Sequence, residues 1–119
     1  MTTAGYVLYH NPRCSKSRGA LELLHERGIE PQVVRYLETP LDAAALRGLV
    51  QRLGIAPREL LRKGEDEYAS LGLADPTLGD ADLIAAMAAH PRLVERPILV
   101  RGDRAVIGRP PETVLDLVD

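Results

Sequence analysis

The residues best suited to chemistry lie in one run, Tyr9-His10-Asn11-Pro12-Arg13-Cys14-Ser15-Lys16-Ser17-Arg18, which holds the chain's single cysteine. A short apolar stretch precedes it and a leucine-rich helical pattern follows, so the Cys14 thiol lies at the mouth of a helix. Helix N-termini and nearby cations (here Arg13, Lys16 and Arg18) both favour the thiolate, the nucleophilic form of the side chain. Free cysteine is also commonly a small buried hydrophobe. The polar and loop-forming neighbours Pro12, Arg13, Ser15 and Lys16 weigh against burial here. Ser17 stands where a redox C-x-x-C pair has its second cysteine. A hydroxyl can donate to a thiolate but cannot form a disulfide, so the site reads as monothiol. His10, ahead of Cys14 across the turn, either supports the thiolate electrostatically or merely ends a strand.

Arginine is the second theme. Arg62, Arg96 and Arg109 fall at the edges of expected elements, and the last two directly precede Pro97 and Pro110. A single arginine is usually a solvated surface charge, yet guanidinium groups also hold tetrahedral oxyanions through forked hydrogen bonds. His25 and His90 read as surface residues, and no Cys/His spacing resembles a metal site. Arg101-Gly102-Asp103 reads as a hairpin turn, and Glu65-Asp66-Glu67 as a solvated acidic turn.

The elements that must position these residues follow from periodicity. Tyr6-Val7-Leu8-Tyr9 reads as a first strand, ended by Asn11 and Pro12. A helix from Ser15 buries Ala20, Leu21, Leu23 and Leu24 and stops at Gly28. Gln32 to Tyr36 is a second strand, and the short links make a βαβ unit with parallel strands. The middle is helical. Asp42 caps a helix closed by Gly54, and Pro57 opens a short one carrying Leu60, Leu61 and Arg62. Asp80 caps another helix, with Leu83, Ile84 and Met87 at core spacing. Ile98-Leu99-Val100 and Ala105-Val106-Ile107 form a hairpin through Gly102-Asp103, and Glu112 to Val118 is a last helix burying Val114, Leu115 and Val118. The order is that of an α/β, thioredoxin-like fold: a mixed four-stranded sheet with a helical insertion between the second and third strands. In such a fold the segment before the third strand faces the thiol, which aims Arg96 at Cys14 and favours a cis Pro97.

Composition sets outer limits. With 119 residues, 45% of them apolar and 27% charged, the chain suits one domain, 1–119, that needs neither disulfides nor metal. A net charge of −2 gives no sign of nucleic-acid or membrane affinity. The start lacks the pattern of a secretory leader, and no apolar run could span a bilayer. One cysteine cannot form an internal disulfide, which suits a reducing cytoplasm.

The Tyr9–Arg18 run, Leu60-Leu61-Arg62-Lys63, Glu95-Arg96-Pro97-Ile98 and Gly108-Arg109-Pro110-Pro111-Glu112 resemble, in that order, the glutaredoxin-linked arsenate reductase family. Tyr36-Leu37-Glu38-Thr39-Pro40 and Leu71-Gly72-Leu73 resemble it too. The resemblance implies a thioredoxin-like fold and a reduction of arsenate to arsenite. It implies Cys14 as nucleophile, His10 helping to ionise it, Ser17 as the hydroxyl partner of the thiolate, and Arg62, Arg96 and Arg109 binding the oxyanion. It also implies glutathione as co-substrate and glutaredoxin as partner, with no bound cofactor and no metal. Two other functions fit the same residues: a glutathione-dependent thiol oxidoreductase with another substrate, or a redox-regulatory module that binds RNA polymerase.

Overall fold

The computed structural model describes residues 3–118. β1 (Tyr6–Tyr9) runs into the Cys14 loop, α1 (Ser15–Glu26) returns, and β2 (Gln32–Val34) lies parallel to β1 with Leu8 opposite Val33. β3 (Ile98–Arg101) and β4 (Arg104–Ile107) complete a mixed sheet of order β2-β1-β3-β4, in which β3 is antiparallel to both neighbours. The helices α2 (Ala43–Leu53), α3 (Pro57–Leu60), α4 (Asp66–Ser70) and α5 (Asp80–Ala89) all fall between β2 and β3. The mixed four-stranded sheet and the helical insertion expected from the sequence are therefore both present.

The chain divides into two compact units, Met1–Thr39 with Arg96–Asp119, and Pro40–Glu95. In the first, Tyr6, Leu8 and Leu99 from the sheet meet Ala20 and Leu24 from α1, together with Ile29, Val114 and Leu117. Gly28 adopts φ +74°, the left-handed conformation in which glycine ends α1 without steric cost. The Gly102-Asp103 turn joins β3 to β4, and Arg101 lies 4.9 Å over the ring of its cross-strand neighbour Tyr6.

The second unit buries Leu46, Leu49 and Val50 of α2 against Leu83, Ile84 and Met87 of α5. Asp42 Oδ1 accepts the Ala45 N–H at 2.8 Å, the expected cap of α2, and Gly54 closes that helix at φ +68°.

Four expectations are corrected. The second strand ends at Val34, because Arg35 turns the chain: its carbonyl accepts both the Glu38 and Thr39 N–H groups. Asp80 is the first residue of α5; Gly79 is the cap, and its N–H is held by the Asp82 carboxylate at 3.0 Å. α3 ends at Leu60, and extended Leu61 pairs in an antiparallel bridge with Val94, so Arg62 lies beyond the helix. The final helix is a 3₁₀ helix, Pro111–Leu117. Its three-residue turn aligns Val114 with Leu117, so Leu117 is buried while Leu115 and Val118 are only partly covered.

Gly108 is a constraint on the first unit. A Cβ there would stand 2.8 Å from Pro97 Cγ and 2.9 Å from Val114 Cγ1, neither of them the end of a flexible side chain. Gly108→Ala should therefore cost roughly 1–3 kcal/mol by overpacking. Gly64→Ala, where the same methyl meets open space, should be nearly neutral. Urea unfolding of the two variants checks this.

Candidate active site

Cys14 is the N-cap of α1, with extended backbone (φ −93°, ψ 124°) that leaves its side chain at the helix mouth. Asn11 builds the loop that brings it there. The Asn11 carbonyl accepts the Cys14 N–H at 3.0 Å, and its Oδ1 accepts the Arg13 N–H at 3.0 Å. Such a side chain-to-backbone turn is what asparagine supplies most readily. Arg18 Nη1 donates to the Pro12 carbonyl at 3.0 Å, tying the loop to the first turn of α1.

Cys14 is a half-buried free thiol. Burial pushes its pKa up, but attraction from the Ser17 and Lys16 backbone N–H groups and from the Arg96 side chain outweighs it, and the net pKa lies below the ordinary thiol value. The Cys14 side chain makes no capping hydrogen bond to α1. The Arg96 guanidinium contributes to this lowering both through a hydrogen bond and through its charge.

Arg109 joins Arg96 directly: its Nη1 donates to the Arg96 carbonyl at 3.3 Å. The turns that carry them are stitched by the Gly108 N–H on the Pro97 carbonyl at 2.8 Å. Both Arg96-Pro97 and Arg109-Pro110 are cis. Arg62 belongs to the other unit. There its Nε lies 3.4 Å from Glu65 Oε1 and its Nη1 3.6 Å from Glu95 Oε1. Glu65 also pairs with Arg92 at 3.0 Å with its side chain only 13% exposed, so the acidic stretch is not the solvated turn expected.

Ser17 is wholly buried. Its Oγ accepts the Asn11 N–H at 3.0 Å and shares a 2.8 Å hydrogen bond with His10 Nδ1, the direction set by the imidazole tautomer. The hydroxyl thus holds the loop and His10, and what Ser17 offers the sulfur is its N–H. Burial, followed by the charges of Arg35 and Arg18, lowers the His10 pKa. The lowering favours the neutral imidazole, and His10 is joined to the first turn of α1 through its bond to Ser17. Asn11 is the residue whose importance sequence reasoning underrated; it was legible only as a turn former. His25 is exposed and His90 partly buried. Among the described residues, no cluster of His, Cys, Asp and Glu could hold a metal, and no helix is long and apolar enough to cross a membrane.

Residues 9–117 match the ArsC family. The chain belongs to that family. It is 58% identical over 112 residues to the uncharacterized protein YfgD of Escherichia coli K12, covering 93% of this chain and 94% of that one. It is 48% identical over 108 residues to an arsenate reductase of Neisseria meningitidis serogroup A, covering 90% of this chain and 92% of that one. The structure of an arsenate reductase from Vibrio cholerae aligns with a TM-score of 0.93 at 50% identity, over 95% of this chain and 97% of that one. The fold is thioredoxin-like, as the order of elements implied.

Two outcomes follow for titration. The rate of Cys14 alkylation against pH should turn on at lower pH than for a free thiol, and Arg96→Ala should move that midpoint upward, as iodoacetamide kinetics will show. For His10 the folded pKa lies below the free value of 6.5, so between the two values the unfolded chain binds more proton. Stability is then complete above 6.5 and falls as pH drops below it. His10→Gln should flatten that decline below pH 6.5, measured by urea unfolding at each pH.

Proposed function

We propose that the chain is an arsenate reductase in which Cys14 is the nucleophile and glutathione, with glutaredoxin, supplies the electrons. The observation that carries this reading is Cys14 at the N-cap of α1, its pKa lowered by the helix N–H groups and by Arg96, with Arg109 bound to the Arg96 carbonyl. A thiolate and fixed guanidinium groups are what attack on a tetrahedral oxyanion requires: a nucleophile, and cations that bind the anion and neutralise charge building on its oxygens. Relatives named arsenate reductase support arsenate as that anion.

In the proposed reaction the Cys14 sulfur displaces one arsenate oxygen, which leaves as water after taking up protons, and an As(V)–S bond forms. A glutathione thiol replaces a second oxygen, again as water. The glutaredoxin thiolate then attacks the glutathione sulfur. The As–S bond to glutathione breaks, its electron pair stays on arsenic as As(III), and glutaredoxin becomes the mixed disulfide with glutathione. Water finally displaces Cys14 from arsenic and releases arsenite. The outside thiol is needed because Cys14 has no second cysteine in the chain. Neutral His10, acting through Ser17, positions the loop for this chemistry. Arg62 is the third guanidinium of the proposal, and it lies beside the Glu65 and Glu95 carboxylates. A lone thiol with a glutathione requirement fits the reducing cytoplasm.

NADPH consumption coupled through glutathione, glutathione reductase and glutaredoxin, with and without arsenate, tests the reading. Arsenate should drive turnover in the wild type, Cys14→Ser should abolish it, and Arg96→Ala should lower kcat/KM by roughly 10- to 1,000-fold. Full activity in Cys14→Ser would sink the mechanism. No rise with arsenate at any concentration would instead favour a glutathione-dependent oxidoreductase acting on another substrate.

A further inference from the structure

A cavity of about 230 Å³ opens beside the Cys14 loop, lined by His10, Asn11, Pro12 and Arg13 on one side and by Arg35, Leu37 and Glu38 on the other. Arg13 is the residue before the nucleophile. The volume lies below the roughly 300–1,000 Å³ of sites that enclose a whole drug-sized ligand, so the cavity fits one end of a small peptide and leaves the rest outside.

The lining has a definite chemistry. Two of its side chains are cationic and one is anionic. Arg35 Nη1 lies 3.9 Å from Glu38 Oε1, with the two side chains 58% and 68% exposed. So long and wet an ion pair contributes little, and an incoming carboxylate can replace Glu38 on Arg35 at small cost. Leu37 is one of the few large apolar side chains left exposed, at 37%, and gives an apolar contact for a peptide backbone. The charge of Arg35 already reaches into the site, where it helps to lower the pKa of buried His10.

We propose that this cavity seats the carboxylate end of the peptide thiol that serves as co-substrate, with Arg35 and Arg13 on the carboxylate and Leu37 against the adjoining backbone. The inference rests on the glutathione-dependent reading above and adds to it where the reductant sits. Each end of glutathione carries a carboxylate of the kind that Arg35 and Arg13 can hold. An end anchored beside Arg13 leaves the central thiol free to extend toward the neighbouring Cys14.

The test uses S-methylglutathione, which binds as glutathione does but cannot react as a thiol, titrated into the uniformly ¹⁵N-labelled full chain. Backbone amide shifts should concentrate at Asn11, Arg13, Arg35, Leu37 and Glu38. Arg35→Glu should weaken the binding roughly tenfold or more, as loss of a charge-assisted bond does. In the coupled assay it should raise KM for glutathione by a similar factor while KM for arsenate stays within the error of the wild-type value. Leu37→Ala, a milder change at an exposed position, should weaken S-methylglutathione binding while the spectrum of the free protein changes only near residue 37. Shifts confined to other residues, no shifts at millimolar ligand, or unchanged binding by both variants would each overturn the proposal. Arsenate-independent chemistry with this shift pattern intact would remove the arsenate reading and keep the site. Arsenate turnover with shifts elsewhere would do the reverse.

Discussion

The buried Ser17 hydroxyl is the knot on which the site depends. It takes the Asn11 N–H at 3.0 Å and shares a 2.8 Å bond with His10 Nδ1, so the end of β1, the loop and the first turn of α1 meet at one oxygen. A buried polar group left unpaired costs about 1–3 kcal/mol; an apolar side chain at this position would strand two of them. Asn11 then passes the constraint on, through its carbonyl to Cys14 and through its side chain to Arg13. The loop that carries the sulfur is tied down by one oxygen in the first turn of the helix.

That engagement also explains the division of labour around the thiol. The helix offers backbone N–H groups from Lys16 and Ser17, and the segment before β3 offers the Arg96 guanidinium. Together they overcome the burial that would otherwise keep the thiol protonated. Neither source of stabilisation is a second sulfur, so the electrons of any redox cycle come from another molecule.

Much of this was legible in the sequence because the signals are local. Asp42 and Gly54 bracket α2, Gly28 ends α1, and Gly102-Asp103 makes the β3–β4 turn, each through the backbone preference of a single residue. The cationic, loop-bound setting of Cys14 could likewise be read in ten residues. What stayed hidden is pairing between distant residues. Nothing near Leu61 announces Val94, and nothing near Glu65 announces its burial against Arg62 and Arg92. The spacing of Ser17 from Cys14 marks it, but only the fold aims its hydroxyl, at His10 and Asn11. The 3₁₀ path of Pro111–Leu117 escaped because Val114 lies on the inner face for either helical period, and only Leu117 distinguishes them.

The bond from Arg109 to the Arg96 carbonyl has a bearing on how the two residues can be dissected. One guanidinium reaches the sulfur while the other holds the backbone from which the first extends, so the pair behaves as a single mechanical part. Removing Arg109 withdraws a charge and also loosens the base on which Arg96 stands. Energies assigned to the two arginines separately will therefore not sum to the effect of losing both, as is usual for residues that share a partner. Selection acting on this corner of the protein sees one inherited object, encoded in two places.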